Sequence, residues 1–191
     1  MMRVALLADT HGFLDPRIAD LVADCDVAVH AGDIGGTDVL LSLQPRQQVI
    51  AIRGNNDVPE KWPAHERHVL EHLPRETRVP LPGGDLVVVH GDEPITVAER
   101  HRAFRRRYPH AKAVVYGHTH SQSIDRGAEP WILNPGAAGR TRTYGGPACL
   151  LLECGDQAWE IEAVQLPARK YPSLRTGPRR SDSSERLASG E

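Results

Sequence analysis

Five short apolar runs recur along the first two thirds of this chain: "RVALLA", "DVAVHA", "VIAI", "LVVVH" and "AVVYG". Each is rich in Val, Ile, Leu or Ala and is bounded by turn residues. None shows the strict polar alternation of a strand with one wet face, so each reads as a strand covered on both sides. Between the first two, Leu14, Ile18, Leu21, Val22 and Cys25 trace one helical stripe, with Asp15 placed to cap it and Pro16 in the first turn. A second helix is expected from Thr37. A third is expected from Thr96, where "TVAE" has the spacing of a capping box closed by Glu99.

After about residue 121 the rhythm changes: "WILNPG", "PACLLLE" and "AWEIEAVQL" read as strands joined by turns, which adds antiparallel strands to the α/β part. The expected architecture is therefore α/β, two sheets packed face to face with helices outside. A chain of 191 residues suits one domain, here 1–167. The stretch 168–191 is polar, aperiodic and rich in Pro, Ser and Arg, and is expected to be a disordered tail.

Composition excludes several classes. A net charge of -2 gives no electrostatic reason to expect nucleic acid or an anionic membrane. The first apolar run stops at Asp9, too soon for a signal peptide core or a membrane span. Cys25, Cys149 and Cys154 are odd in number and form no C-x-x-C, so a disulfide framework is not expected and the reducing cytoplasm is the expected location.

Each of the five runs ends in residues that bind metals. The first gives Asp9 and His11 in "ADTH", the second Asp33 in "HAGD", and the third Asn55 and Asp57 in "RGNND". The fourth gives His90 and the fifth His118 and His120 in "GHTH". In open α/β sheets ligands gather at the carboxyl ends of strands, so these loops can meet in one cleft. Glycines before Asp33, Asn55 and His118 suit sharp turns with close backbone approach. Carboxylates, an amide oxygen and imidazoles without thiolate point to Mn²⁺, Fe, Zn²⁺ or Mg²⁺ rather than a structural cysteine-type zinc. Even without Asp57, seven donors exceed one ion's needs and suit two ions about 3.5–4 Å apart.

The ordered series D-x-H, G-D, G-N-x-D, H-G and G-H-x-H resembles the calcineurin-like metallophosphoesterase superfamily. The short length and the "NPGAAG" loop after "WILN" look like its small bacterial YfcE-type phosphodiesterase branch. The resemblance implies a four-layer α/β/β/α sandwich of two mixed sheets flanked by helices. By it, Asp9, His11 and His120 hold one ion, Asn55, His90 and His118 the other, and Asp33 bridges them. Asp33, Asn55 and Asp57 form the expected catalytic set; Asn56, Asn134 and Arg140 are expected to touch substrate. The cofactor implied is a pair of divalent cations, Mn²⁺ first, with Fe, Zn²⁺, Ni²⁺ or Mg²⁺ as alternatives. The reaction implied is hydrolysis of a small phosphodiester by a hydroxide between the two ions. Self-association is left open.

Two positions depart from the pattern. Asn56 stands where many members read G-N-H-D, and Asp92 where relatives often carry a second histidine. Asparagine does not titrate, so protonation of the leaving group is expected to be weak here, favouring diesters with good leaving groups. Other features have plainer readings. His30 reads as a hydrogen-bonded core histidine, and His65, His68 and His72 as an exposed helix face. In "ERHRAFRRRYP", Val97, His101, Phe104 and Tyr108 form the expected buried stripe, with most arginines in water. Asn134 can equally hold its own turn before Pro135. Two functional alternatives remain at this stage. One is a nucleotide-sugar or lipid diphosphate hydrolase, whose apolar lid residues 59–76 do not resemble. The other is a non-catalytic scaffold of the same fold, like the retromer subunit that has lost metal ligands.

Overall fold

The computed structural model describes residues 1–169; residues 170–191, most of the expected tail, lie outside the described residues. The first sheet runs β10-β9-β1-β2-β3 and the second β4-β5-β6-β8-β7. In the first, β1 (Met2–Leu7), β2 (Val27–His30) and β3 (Gln48–Ala51) are parallel, while β9 (Ala148–Cys154) and β10 (Trp159–Gln165) return antiparallel. In the second, β5 (Gly84–Val89), β6 (Ala113–Val115) and β8 (Trp131–Asn134) are parallel, with β4 (Glu76–Leu81) and β7 (Ser123–Asp125) antiparallel at the edges.

The runs of β1, β2, β5 and β6 read as continuous because those strands are covered on both faces, whereas β3, at a sheet edge, is partly exposed. In β1, Val4, Leu6 and Ala8 enter the core between the sheets, and Ala5 and Leu7 pack under α1 (Pro16–Ala23). In β5, Leu86 and Val88 face the first sheet, and Val87 pairs with Phe104 and Tyr108 of α4 (Val97–Arg107). The result is helix, sheet, sheet, helix. Shorter helices α2 (Thr37–Ser42) and α3 (Arg67–His72) share a fourth cluster around Ile34, Val39, Trp62 and Leu70. No helix among the described residues is long and apolar enough to cross a membrane.

The caps form as expected. Asp15 accepts from the Arg17 amide at 3.0 Å, with Pro16 following, and Thr96 with Glu99 closes a capping box on α4.

Three expectations need correction. β8 joins the second sheet parallel to β6 rather than adding an antiparallel strand, because β7 lies beyond it at the edge and returns the chain. β4 is a strand the apolar pattern did not reveal: Val79 and Leu81 alternate with polar residues, and Pro80 breaks the signal. Proline is tolerated there because β4 is an edge strand with one unpaired side. On α4, His101, Phe104 and Tyr108 form the expected buried stripe with most arginines in water, but Val97 is 48% exposed and Arg100 takes a buried place at 3% exposed. The Arg100 guanidinium lies 5.7 Å over the Tyr116 ring and donates to the Glu93 carbonyl at 2.7 Å, which offsets part of its burial, while its Nε has no hydrogen-bond partner.

Candidate metal centre

The loops following β1, β2, β3, β5 and β6 converge at one rim of the sandwich. Asp9, His11, Asp33, His118 and His120 all hold left-handed backbone, with φ from 48° to 64°. Each such residue without glycine's freedom costs about 1 kcal/mol or more, and such strain concentrates at functional sites. Cross-loop hydrogen bonds impose it: Asp9 N–H donates to the Gly32 carbonyl at 3.0 Å, and His11 N–H to the Asp33 carbonyl at 2.9 Å. The loops also need bare backbone. A Cβ at Gly32, whose φ is 94°, would lie 2.7 Å from the Gly54 nitrogen and from His90 Nδ1.

The donors fall into two groups. Ligand atoms of Asp9, His11, Asp33 and His120 all lie within 4.8 Å of one another. Nε2 of His11 is 3.1 Å from Nε2 of His120 and 3.7 Å from Asp33 Oδ2. In the second group, Asn55 Oδ1 is 3.0 Å from His90 Nε2 and 3.1 Å from His118 Nδ1. His90 Nε2 is 3.4 Å from Asp33 Oδ1. Asp33 thus turns one carboxylate oxygen to each group. The His118 amide, donating to Asp9 Oδ1 at 3.1 Å, ties the groups together.

Neighbouring carbonyls orient the rings. His90 Nδ1 donates to the Ala31 carbonyl at 2.8 Å and His120 Nδ1 to that of Thr141 at 3.0 Å, which aims both Nε2 atoms into the cleft. His30 is different. Its Nδ1 accepts from Gly32 N–H at 3.2 Å and its Nε2 faces Thr10 Oγ1 at 2.9 Å, so it braces the loops from behind.

The electrostatics fit a cation. Asp9 Oδ2 is buried with no hydrogen-bond partner. Burial pushes the Asp9 carboxyl up to about 7, with the Asp33 charge adding to it against the pull of His90. Burial alone would raise Asp33 as well, but hydrogen bonds and charge from His90, with Asn56 donors, pull it well below the usual range. Burial opposes charge on His90 too, yet Asp33 and Asp9 outweigh it and lift the ring to about 9. His120 is held down to about 4 chiefly by burial, with Arg142 and His11 adding to it. His11 and His118 are also lowered, mainly by burial. A buried, partnerless carboxylate oxygen on Asp9, clustered with Asp33, His11 and His120, belongs to the donor set a divalent cation satisfies.

Other expected site residues take different parts. Asp57 was expected in the catalytic set, but its carboxylate is consumed internally. Oδ2 accepts from Ile34 and Gly54 amides at 3.1 and 2.8 Å, and Oδ1 from the Gly35 amide and the Trp62 indole, both at 3.0 Å. It shapes the loops that carry Asp33 and Asn55. Asn134 was expected to reach substrate; it is fully buried. Its amide donates to the Gly117 carbonyl and Thr119 Oγ1 and accepts from Gly136 N–H, so it holds the "GHTH" turn. Asn56 donates to both Asp33 oxygens, at 2.8 Å from its amide and 2.7 Å from its side chain, and accepts from Lys61 Nζ. Arg140 lies 4.9 Å over the Phe13 ring. The arginine that reaches the centre is Arg142, whose Nη2 is 2.8 Å from His120 Nε2. Both arginines sit in one R-T-R tripeptide, so composition could point to the loop but not to the member.

A two-sheet α/β sandwich gathering carboxylate, amide and imidazole donors at five strand ends is the metallophosphatase-like architecture. Residues 2–157 match the family described as the calcineurin-like phosphoesterase superfamily domain, and the chain belongs to that superfamily. A curated relative from Methanocaldococcus jannaschii, named "Probable metallophosphoesterase", is 25% identical over 142 residues, covering 71% of this chain and 68% of that protein. Among solved structures, a single mutant of Vps29 from Entamoeba histolytica shares the fold with a TM-score of 0.67 at 17% identity, covering 86% of this chain and 99% of that one. A protein described as a novel archaeal phosphodiesterase does so with a TM-score of 0.63 at 18% identity, covering 85% and 100%. The superfamily is named for phosphoester hydrolysis, and the Methanocaldococcus relative for metal-dependent phosphoester hydrolysis.

Proposed function

We propose that the protein is a phosphodiesterase that holds two divalent cations, Mn²⁺ first among them, and hydrolyses a small phosphodiester. The observation that carries this reading is the division of seven donors into two groups on either side of Asp33, with Asp9 Oδ2 buried and unpartnered. Asp9, His11 and His120 would hold one ion and Asn55, His90 and His118 the other, with Asp33 offering one carboxylate oxygen to each group. When bound, such a pair acidifies water to a hydroxide at neutral pH and neutralises phosphate oxygens. The chain's part is to fix the donors, and the strained, cross-bonded loops do so before substrate arrives. No nucleophilic side chain needs to form a covalent intermediate. Buried free thiols suit a reducing cytoplasmic setting.

The test is hydrolysis of bis(p-nitrophenyl) phosphate by metal-stripped protein with and without Mn²⁺. Turnover that appears with Mn²⁺ and disappears in Asp33→Asn is the expected result. Absence of turnover with Mn²⁺, Zn²⁺, Ni²⁺ and Mg²⁺ alike would sink it in favour of a metal-binding scaffold.

A further inference from the structure

Arg142 belongs to an exposed loop, yet its Nη2 donates to His120 Nε2 at 2.8 Å. The other ring nitrogen of His120 already donates to the Thr141 carbonyl, so Nε2 carries the ring's one available lone pair. That lone pair is the same one the Asp9, His11, Asp33 and His120 cluster would present to a cation. It serves the guanidinium or the ion, and not both. Arg142 holds this position with left-handed backbone, φ 52°. Among the described residues it has no carboxylate within ion-pair distance; the Asp9 charge acts on it only from further off.

A divalent ion at Nε2 and a guanidinium beside it repel strongly in a partly buried site. With an ion held at Nε2, the Arg142 side chain would have to leave, and its long stem would let it swing without moving the loop. The nearest anion for the freed guanidinium is a phosphate bound at the same ion, and its planar fork matches two phosphate oxygens. We propose that Arg142 competes with the metal for His120 Nε2 and, once displaced, clamps the phosphate of the substrate. One side chain thereby couples metal loading to phosphate binding. Only the second half of this proposal rests on the phosphodiesterase reading.

Calorimetric titration of metal-stripped, full-length protein with Mn²⁺ tests the first half. Arg142→Ala is expected to bind its first Mn²⁺ about tenfold tighter, since a charge-assisted hydrogen bond no longer has to be broken. Equal or weaker affinity in the variant overturns the proposal. Titration of the Mn²⁺-loaded proteins with inorganic phosphate tests the second half, with affinity expected to fall about tenfold in the variant. Unchanged phosphate affinity overturns the clamp. Arg142→Gln keeps the stem and a donor but not the charge; it is expected to follow Arg142→Ala in both titrations and guards against a collapse of the loop. Wild-type protein that turns over no diester while both calorimetric changes appear would refute the phosphodiesterase reading, keep the competition for His120, and leave Arg142 as a contact for bound phosphate that serves no diester hydrolysis.

Discussion

Asp9 and His90 belong to the two donor groups on either side of Asp33, and each must lose a proton before it can bind a cation. The burial of Asp9 sets its proton at about 7, and the charges of Asp33 and Asp9 set that of His90 at about 9. A ligand whose proton is held near or above the working pH binds metal only by releasing it, so affinity rises with pH. Mn²⁺ affinity is therefore expected to climb from about pH 6 to about pH 9, with net proton release near neutrality. Titrations in buffers of different ionisation enthalpy measure that release directly, and a heat independent of the buffer would refute it. Asp57 makes a second prediction at this scale. Asp57→Ala strands three backbone amides and the Trp62 indole. Buried donors left without partners cost about 1–3 kcal/mol each, so a loss of roughly 3 kcal/mol or more in denaturant unfolding is expected. A loss under 1 kcal/mol would mean that water reaches these donors easily.

At the scale of elements, α4 is pinned to β7 by a polar clamp outside the metal centre. Asp125 takes His101 Nδ1 at 2.8 Å and Arg105 Nη2 at 2.8 Å. His101 Nε2 in turn lies 3.1 Å from the Tyr116 hydroxyl. The Arg105 guanidinium beside it holds the Asp125 carboxyl down at about 2, against its burial and with help from His101. A folded-state value below the unfolded one stabilises above the unfolded value, and that stability is lost as pH falls through the folded one. The clamp is thus complete above about pH 4 and weakens between about pH 4 and 2. Asp125→Asn is expected to flatten this acid limb in melting temperature measured against pH, while an unchanged limb would show that other carboxylates set it. The elements themselves were legible to different degrees. Runs buried on both faces announced β1, β2, β5 and β6. β4 hid behind Pro80, and the parallel sense of β8 depended on a three-residue strand with almost no pattern of its own.

For the whole molecule, the two sheets and their covering helices bury all three thiols. Burial pushes Cys149 and Cys154 up to about 12 and raises Cys25, so none offers a thiolate at neutral pH. Native protein is expected to leave a thiol-specific chromogenic reagent unreacted and to titrate three thiols on unfolding. A fast-reacting thiol in the native state would mean that the packing opens locally.

The sequence by itself determined what depends on neighbours along the chain. Buried strands, helix caps, glycines at tight turns and the metal-binding residue types at strand ends all follow from spacing of a few residues. Only the tertiary structure decided which groups meet. It brought His11 to His120 across 109 positions and Asn55 to His118 across 63. It spent Asp57 and Asn134 on holding loops, and it chose Arg142 over Arg140. Those outcomes turn on whether a polar group's hydrogen bonds are already filled, and that is settled by partners distant in the chain.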